Sequence, residues 1–247
     1  MIELKTGTIE RIVFMPNGVE GLQVAPLDGP RKVVPLRRGD DVSLQFGGKR
    51  RARSRPDPCA VCDGERCLKG RADCTVPHLV YVAVFGRRVK VGVTKEARFK
   101  RRMREQGAEF SAKVSRFGDG MKARRAEREL SSGKGIGMGV RFEEKVTSIG
   151  QLEDERAAGE LLESKGLEGL SVSDMRGMYQ NPALGDSSRP ILFVGDGLRG
   201  TVEDTRGEAL FFSYRDNLYA YDLRDTVGRK IRYGEARMET QLTLGNF

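Results

Sequence analysis

The most regular stretch of the 247-residue chain runs from His78 to Thr94. Val80, Val82 and Val84 alternate with Tyr81, Ala83 and Phe85, and Val89, Val91 and Val93 alternate with Lys90 and Gly92. A period of two predicts strands, and Gly86-Arg87 between them suits a two-residue hairpin turn with glycine first. Folding there pairs Val84 with Val89, Ala83 with Lys90 and Tyr81 with Gly92. All six valines then share one face, which must be the core face. Tyr81, Lys90 and the bare Gly92 share the other, where a tyrosine opposite a glycine would leave a hollow for a ligand backbone. A helix is expected next, capped by Thr94 and stopped by Gly107, with Phe99 and Met103 as its apolar stripe and Arg98 and Arg102 on its flank. Phe110, Ala112 and Val114 alternate as a third strand. A second helix starts near Asp119 with the stripe Ala123, Ala126, Leu130, and Glu127 falls inside that stripe. A carboxylate there is costly unless it is paired or binds a metal; the bland alternative is a rim glutamate bridged to an arginine.

The rest of the chain reads as β units on either side. In residues 1–56, Ile9, Ile12, Val13 and Phe14 interleave with polar residues, turn signals follow at Pro16-Asn17-Gly18 and Asp28-Gly29-Pro30, and Val42, Leu44 and Phe46 alternate before Gly47-Gly48. Residues 133–185 contain one helix, with Ser148 and Gln151 as a capping box and Gly166 past its end. Asn181 to Pro190 is a polar linker, and residues 191–234 return to strands at Ile191 to Val194, Leu210 to Phe212 and Leu218 to Tyr221. The expected fold class is α+β: an N-terminal β unit (1–56), a cysteine knot (57–76), a small sheet with flanking helices (77–132), a helical connection (133–185) and a C-terminal β unit (186–247). Two glycine patterns fall away. Gly195-x-Gly197-x-x-Gly200 resembles a dinucleotide fingerprint, but no amphipathic helix pattern follows it. Gly133 to Gly139 lacks the Gly-Lys-Ser/Thr of a phosphate-binding loop and reads as a flexible turn.

Charge sharpens this picture. The net charge is +9, and residues 87–129 hold 15 Lys/Arg against 6 Asp/Glu. The flanks balance, at net +4 for residues 1–86 and −4 for residues 130–247. A cationic block of this kind suits a polyanion, because each phosphate contact releases counterions; a solvated helix face is the plainer reading. No apolar run approaches the roughly 18–20 residues of a membrane span, and the N-terminal residues do not form a signal peptide, so a cytoplasmic location without membrane partners is expected. All four cysteines lie between Cys59 and Cys74, spaced Cys-x2-Cys-x4-Cys-x6-Cys. The clustering argues for metal and against a disulfide framework. Four thiolates at Cys59, Cys62, Cys67 and Cys74 would close a structural zinc site; His78 is the alternative fourth ligand, and a redox pair at Cys59 and Cys62 is the alternative chemistry.

A strand tyrosine, a turn, a strand ending in a basic residue-x-Gly, then a helix arginine and a later helix glutamate resembles the order of the GIY-YIG nucleases. Leu79-Val80-Tyr81 stands for the GIY and Lys90-Val91-Gly92 for the YIG. Cys74 to Ala83, Lys90 to Thr94, and Arg102 with Gln106-Gly107-Ala108 resemble more closely an uncharacterised prokaryotic family, domain of unknown function 2797. The nuclease resemblance implies phosphodiester cleavage of DNA or RNA with one divalent metal. Tyr81 would act as base or water-positioner and Arg102 would stabilise phosphate charge. Glu127 would hold magnesium or manganese. Lys90, Arg98, Arg101 and Thr94 would contact the nucleic acid. Two departures stand out: Lys90 replaces the second tyrosine, and the arginine follows the glycine later than in the nucleases, leaving Arg98 or Arg101 as substitutes for Arg102. The competing classes are a binding protein that kept the fold without the cut, and a zinc-stabilised scaffold with protein partners.

Overall fold

The structure, a computed structural model, describes residues 6–15, 20–27, 29–48, 62, 64–65, 74–134, 136–186, 190–234 and 240–241. It is mixed α and β and divides into two compact units, one formed by Met1–Ala52 with Gly177–Phe247 and the other by Arg53–Arg176. Among the described residues no helix is long and apolar enough to cross a membrane.

The first unit begins with β1 (Thr6–Phe14), β2 (Glu20–Pro26), β3 (Lys32–Leu36) and β4 (Asp41–Gly47). The second holds β5 (His78–Phe85), β6 (Arg88–Lys95), α1 (Phe99–Gln106), β7 (Phe110–Phe117), α2 (Gly120–Lys134), α3 (Phe142–Thr147), α4 (Glu155–Ser164) and β8 (Val172–Asp174). The chain then returns to the first unit with β9 (Ile191–Val194), β10 (Gly197–Arg206), β11 (Ala209–Tyr214), β12 (Asn217–Asp222), β13 (Lys230–Tyr233) and β14 (Thr240–Gln241).

The strands of the two chain ends, which the sequence presents as separate β units, share one ten-stranded sheet in the order β14-β9-β12-β11-β10-β4-β13-β1-β2-β3. Its core includes Ile9, Leu22, Leu44, Leu198, Leu210, Phe212 and Ile231. Charge is buried here too. Arg206 donates to Asp204 at 2.9 Å and to the Asn181 carbonyl, while Thr205 donates to the Glu20 carboxylate. Buried charges persist only when paired and hydrogen-bonded in this way. Gly197 to Arg206 is strand throughout, as the lack of a helical pattern after Gly195 implied.

The second unit is built on a four-stranded antiparallel sheet in the order β6-β5-β7-β8. The hairpin has the expected register, with Tyr81 opposite Gly92, Ala83 opposite Lys90 and Val84 opposite Val89. Every residue of β5 is buried, because both faces are covered. Val80, Val82, Val84 and Val91 pack with Ala123 of α2 and with Ala158 and Leu162 of α4. On the other face, Phe99 of α1 meets the Tyr81 ring edge-on, with centroids 5.9 Å apart. Gly107 ends α1 in the left-handed conformation, at φ 74°, where a side chain would be strained. The Asp119 carboxylate caps α2 by accepting from the Met121 and Lys122 N–H groups.

Two expectations need correction, and a third lies mostly outside the described residues. Thr94 does not cap α1: it stays in β6 opposite Leu79, and the short turn Glu96–Arg98 intervenes before the helix. Residues 133–185 hold two helices after α2, not one. Ser148 ends α3, donating its hydroxyl to the Phe85 and Glu144 carbonyls, and Asp154 caps α4 through the Ala157 N–H at 2.8 Å. The hydroxyl reached backwards because Glu144 lies four residues earlier on its own helix. The cysteine knot lies mostly outside the described residues, which include Cys62 and Cys74 but not Cys59 and Cys67.

One buried carboxylate ties this unit together. Glu109, at the start of β7, accepts from the Gly86 N–H of the hairpin turn and from the Gly150 N–H after α3, each at 2.9 Å. Removing it leaves the buried Gly86 N–H without an acceptor, while the Gly150 N–H lies at the surface and can turn to water. Glu109→Ala should therefore lose about 1–3 kcal/mol in urea denaturation, with Glu109→Gln losing less because one acceptor remains. Equal stability of wild type and Glu109→Ala would show that neither bond matters.

Candidate functional site

The site forms where β6, the edge strand of the smaller sheet, meets α1 and α2. Tyr81, Lys90 and Gly92 lie on one face of the β5–β6 hairpin by strand alternation. The Tyr81 ring leans over Gly92: a Cβ built on that glycine would come within 2.4 Å of the phenol oxygen and 2.5 Å of the ring. The hollow expected over Gly92 is therefore filled by the tyrosine itself, which is 1% exposed.

The helix α1 holds the ring there. Its Gln106, oriented so that its amide oxygen faces the site, accepts from the Tyr81 hydroxyl at 2.7 Å and from Arg102 Nε and Nη2 at 2.8 and 3.2 Å. The Arg102 guanidinium also donates to the Tyr81 oxygen. Burial raises the Tyr81 pKa despite that nearby cation, so at neutral pH the group is a phenol and a hydrogen-bond donor. The reading of Tyr81 as a general base does not suit this environment.

The helix α2 brings Glu127 to the same place. Its carboxylate accepts from the Val93 backbone N–H, a donor on the outer edge of β6 that no further strand pairs. Val91, the other outward donor nearby, bonds the Gly137 carbonyl at 3.0 Å. Glu127 is 7% exposed. Its Oε2 lies 4.0 Å from the Arg124 guanidinium one turn earlier, and Lys90 and Arg102 add their fields. Burial nevertheless dominates and raises its pKa above the ordinary glutamate value. Tyr81, Arg102, Glu127 and Lys90 are thus brought together.

The remaining site residues divide. Arg98 and Arg101 join Arg102 around a single carboxylate, Glu105, at 3.3, 2.9 and 3.4 Å. Both are well exposed, and ion pairs of this type are weak enough to be exchanged for another anion. Thr94 is buried in its strand and not offered to a ligand. His78, the alternative zinc ligand, has Nδ1 2.6 Å from the Val76 carbonyl oxygen and its ring against Gly120 at the start of α2. Sequence reasoning gave no role to Gln106, Glu105 or Arg124. Gln106 was visible only as part of the Gln106-Gly107-Ala108 run, and Arg124 only as a cation one turn before Glu127.

Residues 51–136 match the family model described as a protein of unknown function, DUF2797. No curated protein and no solved structure matches the chain.

The raised Glu127 pKa gives a test with a definite sign. The folded protein keeps that proton at pH values where the unfolded chain has lost it, so folding stability falls as pH rises through and above the ordinary glutamate range. Wild type should lose stability relative to Glu127→Gln across that rise, and the two should converge at lower pH. Paired denaturation midpoints over a pH series measure this; a gap that shrinks with rising pH contradicts it.

Proposed function

We propose that the unit of Arg53–Arg176 grips the phosphodiester backbone of DNA or RNA and cuts it with the help of one divalent cation held at Glu127. The observation behind this reading is the meeting of Tyr81, Lys90, Arg102 and Glu127 at one edge of the sheet. The cationic block of residues 87–129 supplies the field that draws the polyanion.

The donor set fits magnesium or manganese as a one-carboxylate site. Burial raises the Glu127 pKa even though Arg124, Lys90 and Arg102 act to lower it, so a bound cation would offset a cost that these three leave in place. Among the described residues there is no group of three or more His, Cys, Asp or Glu placed to hold a metal. Water and phosphate oxygens would complete the shell, as is usual for magnesium. The cation, when bound, lowers the pKa of a coordinated water and offsets charge on the phosphate. The protein's own groups do the rest. Arg102, held by Gln106 and Glu105, presents a fixed, half-exposed positive charge to phosphate oxygens. Lys90 adds a point charge where the nuclease pattern has its second tyrosine. Tyr81, as a phenol, orients Arg102 and donates no charge of its own.

A second reading rests on the near-complete burial of Tyr81 and the cations already around Glu127. The same geometry would hold a backbone phosphate without cutting it. A cleavage assay on mixed DNA and RNA substrates with Mg²⁺ or Mn²⁺ separates the two. The nuclease reading expects wild type to cut and Glu127→Ala to bind nearly as well without cutting, the mark of a group that acts in the transition state. Binding without any cutting, weakened by Lys90→Ala or Arg102→Ala, supports the second reading. In either case the log–log dependence of affinity on salt should have a slope on the order of −4 to −8, and salt-independent binding would remove both.

We also propose one structural zinc at Cys59, Cys62, Cys67 and Cys74. The Gly64 backbone N–H donates to Cys62 Sγ at 3.4 Å, the kind of outer bond that steadies a metal-bound thiolate. Elemental analysis of purified protein should give about one zinc per chain, as a closed four-ligand site requires. Protein that is free of zinc and fully folded would refute it.

A further inference from the structure

A hollow of about 250 Å³ opens beside the hairpin turn, away from Glu127. Its walls are Arg87, Arg88 and Val89 from the hairpin, Gly137 and Gly139 from the loop after α2, and Glu144 and Lys165 from the helices beyond. Three cations face one carboxylate, a net charge of +2. Glu144 is taken by Arg88 at 3.3 Å. Arg87 and Lys165 have no ion-pair partner among the described residues. Most other cations of this unit near α1 and α2 are paired, as the three arginines on Glu105 and the pair on Glu65 show. The glycines matter because a Cβ added at Gly139 would stand in open space, so bare backbone forms that part of the wall.

The hollow is tied to the site through β6. Lys90 pairs with Gly137 in a parallel bridge, so the loop that walls the hollow is fastened to the residue that faces Glu127. From Lys90 to Arg88 is two strand residues, roughly 7 Å, which is about one nucleotide step. A strand gripped at Lys90 and Arg102 therefore reaches the hollow within one or two nucleotides.

We infer that this hollow binds the terminal phosphate of a nucleic-acid strand whose neighbouring backbone lies at Lys90 and Arg102; it rests on the functional reading above and narrows its substrate class to strands with a phosphorylated end. Charge favours the terminal group. A phosphomonoester carries about −1.5 to −2 at pH 7, which matches the +2 of the walls, whereas an internal diester carries a single charge. The fork of Arg87 and the ammonium of Lys165 suit its three oxygens.

The test uses the full chain and one short single strand prepared with a 5′-phosphate, a 3′-phosphate or hydroxyl ends, followed by fluorescence anisotropy. Wild type should bind one phosphorylated form about tenfold tighter than the hydroxyl-ended strand, the scale of one charged hydrogen-bonded contact. Arg87→Ala with Lys165→Ala should remove that preference, while the hydroxyl-ended strand loses no more than about threefold from the weaker general field. Equal binding of all three strands by wild type, or a preference that survives the double variant, overturns the inference. Loss of the preference in low-millimolar inorganic phosphate, with the strand still bound, assigns the hollow to free phosphate and overturns it as well. Failure of the functional reading looks different: no strand binds at all, or Lys90→Ala and Arg102→Ala leave hydroxyl-ended binding untouched.

Discussion

The Tyr81 ring lies across Gly92 of the neighbouring strand, in a space that a single methyl group would close. That close approach sets the depth of the phenol oxygen, and the oxygen in turn sets where Gln106 and Arg102 sit. Interiors pack at crystal-like density, so a ring held this tightly has one position. Phe99 of α1 meets the ring edge-on. Arg102 is thereby a surface cation with a buried anchor. Its guanidinium is fixed before any ligand arrives, which lowers the ordering cost of binding.

The second determinant is an unpaired strand edge. Edge strands expose N–H groups that must find partners. In β6 one such donor is taken by Gly137 and another by the Glu127 carboxylate. The edge therefore recruits both the loop that walls the hollow beside the hairpin turn and the acid that α2 supplies. Glu127 sits inside an apolar stripe at an energetic cost, visible in its raised pKa. Residues kept under such a cost are candidates for function, since a purely structural position would tolerate an apolar or neutral side chain.

Local pattern carried the unit of Arg53–Arg176 well. The hairpin register, the valine face, the glycine stop at Gly107 and a helix start near Asp119 follow from alternation and stop signals acting over a few residues. Convergence of Tyr81, Arg102 and Glu127 followed from register and helical spacing together. The sequence misled where one local signal had two uses. Ser148 fits a helix start by spacing, but its hydroxyl bonds backwards and ends a helix. It misled again over Gly92, because alternation places a tyrosine opposite a glycine without saying whether the ring leans in or leaves a gap. The ten-stranded sheet was beyond local reading. The pairing of β4 with β10 and β13, and of β1 with β13, joins residues far apart in sequence, and no turn signal encodes it.

Lys90 is the position at which these constraints act together. Its backbone carries the bridge to Gly137, and its side chain faces the site beside Gly92. An aromatic hydroxyl there would offer a proton donor without charge. A lysine instead adds a full positive charge that stabilises the ionised form of Glu127. Under the proposed function it also attracts the phosphate that Arg102 meets. The two effects oppose each other in a metal-dependent site: the more Lys90 neutralises Glu127, the less that carboxylate gains from a cation. They cooperate in a site that only holds phosphate. Under the proposed function, the balance between burial, which penalises the ionised Glu127, and Lys90, which favours it, decides between holding the backbone and cutting it.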